Sequence, residues 1–210
     1  MEMEQNERIQ DIFNWLVAVA TPIENLRSAN LAFVFGRADR RLADTAGKLF
    51  HRNLIDHVVI SGGIGKDSGA LIGLELDESK YIAALLHWNH GIPVEKITIE
   101  RDALNGADNS RLGMKVILKK GLPHRDVIIV AHATSLRRLF AVHQLIDKEL
   151  AFGADYQLVA TDYPFDSNNP ADQKEAIAEL FRLADWPTKG WAVAQKDLPA
   201  DLVEFARESL

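Results

Sequence analysis

The sequence predicts an α/β domain built on a mainly parallel sheet, and three observations carry that expectation. Short runs rich in Val, Ile and Phe lack polar alternation, as strands buried on both faces do. Segments with apolar residues at helical spacing separate those runs. Strands and helices therefore alternate, which implies βαβ units, because parallel neighbours need a crossover connection.

Ile9, Ile12, Phe13, Leu16 and Val17 recur at helical spacing and predict an amphipathic first helix ending near Thr21-Pro22. Leu31 to Phe35 is an unbroken apolar run stopped by Gly36, which predicts a buried strand. Leu42, Ala46, Leu49 and Phe50 then share one face of a helix. Val58 to Ile60 is the next buried strand, broken by Ser61-Gly62-Gly63-Ile64-Gly65. A helix is expected from Asp77 to His90, with Asp77 as its N-cap and Gly91 in the left-handed position past its end. Lys96 to Glu100 alternates, so this strand is expected nearer an edge. Helical spacing returns from Asp108 to Lys120, with Asp108 as N-cap and Gly121-Leu122-Pro123 as the stop. Val127 to Val130 is the fourth strand, Ser135 to Leu150 a helix, and Tyr156 to Ala160 a fifth strand. Pro170 to Leu210 reads as helices interrupted at Trp186-Pro187 and Leu198-Pro199. The expected organisation is a first helix within residues 1–28 packed on a core of residues 29–160, with a helical extension over residues 161–210.

Composition narrows the function classes. With 47% hydrophobic and 26% charged residues in 210, the chain can bury a sizeable core. A net charge of −6 argues against nucleic acid, whose affinity rests on many Lys and Arg contacts to phosphate. The absence of cysteine excludes disulfides and thiolate zinc sites, and suits a reducing compartment. The opening MEMEQNERIQ is acidic, unlike a signal peptide, and the apolar run Trp15 to Ala20 is too short to cross a bilayer. The expectation is a soluble cytoplasmic protein with no transmembrane segment.

Right-handed crossovers place all strand C-termini on one rim, and ligands of open α/β sheets bind outside it. Four loops are expected there. Gly36-Arg37 follows the first strand. In Ser61-Gly62-Gly63-Ile64-Gly65, glycines let backbone N–H groups turn inward around an anion, or simply make a tight turn. The loop is neither G-x-G-x-x-G nor a P-loop. On the cradle reading, Gly63→Val fills the anion site at modest cost in stability. Asn105, Asp108 and Asn109 form a polar loop suited to ribose hydroxyls or an amino-acid head group, or to turn and cap chemistry alone. In the last loop His132 leaves a strand, Thr134 follows, and Arg137 and Arg138 enter a helix. Arginine grips a carboxylate or phosphate with paired hydrogen bonds, and helix N-terminal amides favour anions. Adjacent helix residues point about 100° apart, so one of the two arginines is expected to face the rim. Glu78, in a first helical turn, stabilises the helix dipole or bonds ligand hydroxyls. His87 and His90 lack an H-E-x-x-H pattern and a third ligand, so no metal is expected.

Taken in order, these segments resemble the YdcF/SanA/ElyC family, a bacterial domain family of largely unassigned biochemistry. The resemblance lies in Phe33-Val34-Phe35-Gly36 with Arg40 to Ala46, Ile60 to Gly65, Glu78 and Gly91-Ile92-Pro93. It continues through Glu100, Asn105, Asp108-Asn109 and Thr134 with Arg137-Arg138, covering about residues 30–145. Ile60-Ser61-Gly62-Gly63-Ile64-Gly65 and the Thr-x-x-Arg-Arg ending look closest to the soluble YdcF branch. The resemblance implies a Rossmann-like three-layer sandwich, here with extra N- and C-terminal helices, and binding of S-adenosylmethionine. The chain departs from the family pattern in two places. Ala103 to Asn109 stands where the family often has Ser-x-Asn-Thr-x-Glu-Asn, and Ser135 stands where many relatives carry a histidine.

The expected function is binding of a small ligand, S-adenosylmethionine or a similar nucleotide-like molecule, at this rim. One alternative is a phosphoesterase-type hydrolase with His132 as its acid–base residue, although Ser61 lacks the G-x-S-x-G setting of a nucleophile. The other is a noncatalytic regulatory or scaffold protein. Trp186 and Trp191 are expected to pin the C-terminal helices to the core, with a lid or a homodimer contact as the other readings.

Overall fold

The structure, a computed structural model, describes residues 2–64, 71, 73 and 76–209, so Gly65 lies outside the described residues. Helix α1 (Glu2–Val17) precedes β1 (Leu31–Phe35), α2 (Arg41–His51), β2 (Val58–Ser61), α3 (Glu78–His90) and β3 (Ile97–Glu100). There follow α4 (Gly106–Lys120), β4 (Asp126–Ala131), α5 (Leu136–Leu150), β5 (Asp155–Ala160), α6 (Pro170–Asp185) and α7 (Ala200–Glu208). The five strands form one all-parallel sheet in the order β3-β2-β1-β4-β5, a Rossmann-like three-layer sandwich.

The side-chain period of two explains why the central strands read as unbroken apolar runs. Leu31, Phe33 and Phe35 of β1 join Val59, Val127, Ile129 and Ala131 in a core shared with α1, α4, α5, α6 and α7. Ala32 and Val34 join Val58, Ile60, Ile128 and Val130 in a second core under α2 and α3. Every second residue therefore serves the opposite layer, and a polar residue on either face would be buried. β3 is an edge strand, as its alternation predicts. The opposite edge, β5, is partly covered by the segment after α1. Thr21 N–H donates to the Leu158 carbonyl at 2.7 Å, and the Gln157 amide clasps both backbone polar groups of Arg27.

Helix α1 ends at Val17, short of the expected Thr21-Pro22, and two further boundaries differ for reasons of local chemistry. Strand β2 runs on to Ser61, because Gly36 N–H takes the Ser61 carbonyl and continues the ladder. Helix α4 starts at Gly106 rather than Asp108. Its N-cap is Asn105, whose Oδ1 accepts from the N–H groups of Ala107 and Asp108, both at 3.0 Å. Asp108 instead sits in the first turn, where its carboxylate accepts from Asn105 Nδ2. The expected cap of α3 is present: Asp77 accepts from Lys80 N–H, and Gly91 takes φ 63° at the other end.

A buried polar pair sits in the first core. Ser110 Oγ donates to the Gly106 carbonyl, so it accepts from His143 Nδ1–H at 3.1 Å. His143 Nε2 then has no partner among the described residues and lies among the rings of Phe33, Phe35 and Tyr156. Burial pushes the imidazole pKa down to about 3. An unfolded histidine takes its proton near its ordinary value and the folded one does not, so acid favours the unfolded chain between those two values. Stability should fall as pH drops from about 6.5 to about 4.5, and His143→Leu should remove roughly 2 kcal/mol of that fall. Urea unfolding of both proteins at the two pH values checks this; an equal fall in both would contradict it.

Candidate ligand site at the sheet rim

The strand order puts β1 beside β4 at the centre of the sheet. The chain leaves β1 towards β2 on one side and leaves β4 towards β5 on the other, so the two loops diverge. This is a topological switch point, where open α/β sheets hold their ligands. Gly36 to Arg40 forms one wall and His132 to Ser135 the other. Helix α6 and Tyr163, both from beyond β5, contribute to the same place.

Arg37 grips Glu175 of α6 through both guanidinium nitrogens, at 2.7 and 3.1 Å. Thr134 Oγ1 donates to the same carboxylate oxygen as Arg37 Nη1, at 2.6 Å. Because that hydroxyl has spent its proton, it must accept from His132 Nδ1–H at 2.8 Å. This assigns the tautomer: His132 Nε2 carries a bare lone pair. That nitrogen faces Asp39 Oδ2 at 3.7 Å, so two acceptors look at each other with no proton between them. Asp39 is itself oriented by Arg41, whose backbone N–H and Nη1 both donate to it at 3.0 Å. The Tyr163 ring packs edge-on against His132 at 4.4 Å, and its hydroxyl donates to Asp172.

Electrostatics sharpen the arrangement. Burial, then the Arg37 charge, holds His132 down to about 4, so the imidazole is neutral at pH 7. Burial alone would raise the Glu175 carboxyl, but the hydrogen bonds from Arg37 and Thr134 outweigh it and hold the pKa at about 2. Glu175 is therefore a fixed anion.

A second group lies over β2 and β3. Ser61 Oγ donates to Glu100 Oε2 at 2.5 Å, and Asp102 N–H donates to Oε1 at 2.6 Å. Gly36 and Gly62 touch backbone to backbone, where a Cβ on Gly36 would stand 2.8 Å from the Gly62 Cα and 2.9 Å from Glu78 Oε2. Asn109 is buried, and its side-chain amide has no hydrogen bond among the described residues.

The sequence-predicted residues thus fall into separate places. Gly36, Arg37, His132 and Thr134 meet in the crevice, and Gly62 and Glu78 lie beside Gly36. The anion cradle is corrected at two positions. Gly62 N–H is spent on the Glu100 carbonyl and Gly63 N–H on the Ala103 carbonyl, so neither turns towards a ligand. Ile64 is exposed. Asn105 and Asp108 are engaged in capping α4. Arg137 and Arg138 diverge as the helical angle requires. Arg137 is buried, stacked 3.9 Å over Trp15 and paired with Asp197. Arg138 pairs with Glu179 of α6 and lies over Trp186, which packs against the first core while Trp191 is exposed.

Sequence reasoning missed Asp39, Tyr163 and Glu175. Asp39 sits between Arg37 and Arg41, an alternation of charges just past a strand end that marks a loop side chain held in place. Glu175 and Glu179 are one turn apart on α6, facing Arg37 and Arg138 respectively. No known protein-family model and no curated protein matches the chain.

Gly63 is a packing position: a Cβ there would stand 2.4 Å from the Arg101 carbonyl oxygen and 2.7 Å from that of Ala103. Since backbone atoms cannot give way, Gly63→Val should destabilise by roughly 2–4 kcal/mol. This replaces the modest loss expected of a cradle. Thermal unfolding checks it, and an unchanged midpoint would contradict it.

Proposed function

We propose that the chain binds a small nucleotide-like ligand, S-adenosylmethionine foremost, in the crevice between β1 and β4. The observation that carries this reading is the pair of facing acceptors, Asp39 Oδ2 and His132 Nε2, 3.7 Å apart and oriented by Arg41 and Thr134. Two acceptors that share no proton, one on the buried His132 and one on the partly buried Asp39, favour a donor between them, such as a hydroxyl or an amino group. Arg37 stands within the same set and suits an anionic group. A ligand carrying both kinds of group matches the crevice better than a purely apolar one. S-adenosylmethionine has amino, carboxylate and ribose hydroxyl groups, and the resemblance of residues 30–145 to the YdcF branch favours it. The reading is one of binding, and it holds for a sensor as well as for a transferase.

Native mass spectrometry with S-adenosylmethionine, S-adenosylhomocysteine, AMP and ATP tests it. The expected result is a saturable one-to-one adduct with the first two, weakened about tenfold or more in Asp39→Asn, which puts a donor where an acceptor was. A folded protein that forms no saturable adduct with any of the four overturns the proposal.

A further inference from the structure

Among the described residues, three Arg–carboxylate pairs join the C-terminal segment to the rim, and one differs from the others. Arg137 is 3% exposed, while the Arg138 and Glu179 side chains are 14% and 3% exposed. In the third pair, the Arg37 side chain is 39% exposed and that of Glu175 25%. Asp197, the partner of Arg137, is itself 62% exposed, but of the three arginines only Arg37 offers a guanidinium that solvent, and a solute, can readily reach.

The hold of α6 on the body does not depend on it. Ala176, Ile177, Leu180 and Leu183 anchor the helix in the first core, and Glu179 ties it to Arg138 one turn further on. Glu175 can leave its partners while α6 stays docked. What it would leave behind is a formed receptor: a guanidinium presenting two nitrogens, a hydroxyl from the opposite wall, and the His132 ring with Nδ1 at 3.8 Å. Its partners come from the two loops that diverge at the switch point, and its present occupant is a planar anion with two oxygens.

We propose that Arg37 and Thr134 form a carboxylate seat, filled by Glu175 in the free protein, and that a ligand enters by setting its own carboxylate there in place of Glu175. The proposal rests on the crevice being the ligand site and adds the class of group that docks at this end of it. Glu175 then acts as a competitor built into the chain. A ligand lacking a carboxylate gains nothing from the seat, and a carboxylate ligand gains when Glu175 is removed.

Thermal unfolding of Glu175→Ala with acetate and propionate tests the seat directly, with chloride and phosphate at matched ionic strength as comparisons. The expected result is a saturable rise in Tm with the carboxylates in Glu175→Ala, a weaker rise in the unaltered protein, and none in Arg37→Ala/Glu175→Ala. Equal responses in the three proteins, or no carboxylate-specific response in Glu175→Ala, overturn the seat. A rise with phosphate as large as with acetate overturns its carboxylate class. Should Glu175→Ala fail to fold, Glu175→Gln keeps the shape, removes the competing charge and gives the same readout.

A second titration separates the seat from the wider reading. S-adenosylhomocysteine carries a carboxylate and 5′-methylthioadenosine does not, so Glu175→Ala should tighten the first by about tenfold and leave the second unchanged. Carboxylate rescue of Tm with neither nucleoside bound retains the seat and overturns the nucleotide reading. Equal affinity of S-adenosylhomocysteine for both proteins, without rescue, overturns the seat and retains the reading.

Discussion

The reversal of strand order at β1 and β4 is the constraint on which the rest of the site depends. β1 has a parallel partner on each side, and the chain departs from β1 and from β4 in opposite directions. The two loops cannot close over the gap between them. Backbone groups and side chains at these strand ends therefore meet water or whatever covers the rim. In this chain the covering is supplied from far along the sequence, by α6 and by Tyr163.

That origin explains the character of the crevice. A helix laid over a rim of N-terminal loops brings polar side chains against polar side chains, and each must find a partner or charge state that suits burial. Thr134 satisfies this by accepting from His132 and donating to Glu175. His132 does so by staying neutral. Asp39 does so through Arg41. The mismatch at the rim, the facing pair of Asp39 and His132 Nε2, lies where the fold is open to a ligand. The mismatch in the interior, at His143 Nε2, lies in an aromatic cage and has no comparable outlet. Similar local chemistry thus supports the proposed binding at the rim and has a stability consequence in the core.

The sheet was legible because its central strands are buried on both faces, so that every residue from Leu31 to Phe35 and from Val127 to Val130 is apolar. The edge position of β3 was legible from its alternation but its facing was not, because the polar Thr98 and Glu100 are buried while Ile99 is exposed. Capping was less so: Asn105 and Asp108 are both good cap residues three apart, and only the backbone shows which begins the helix. The glycine loop was ambiguous because a close backbone approach and an anion cradle require the same residue. Here the tight backbone approach of Gly36 to Gly62, and the clash awaiting a Cβ on Gly63, explain the glycines without an anion. Glu175 was illegible in a different way. It lies 138 residues from Arg37, on a helix whose apolar pattern announces only which face is buried. A carboxylate on such a helix reads as solvated until the sheet it crosses is known.

The state of His132 is the most direct test of this account, since the hydrogen-bond chain through Thr134 and Glu175 allows only one neutral tautomer. Nitrogen NMR of protein labelled at histidine, with His132→Gln to assign the signal, reads both ring nitrogens. The account predicts a protonated Nδ1 and an unprotonated Nε2 at pH 7, with the Nε2 resonance moving when S-adenosylhomocysteine is added. A His132 protonated at Nε2 at pH 7, or one indifferent to every ligand that binds the protein, would contradict the assignment of the crevice as the site.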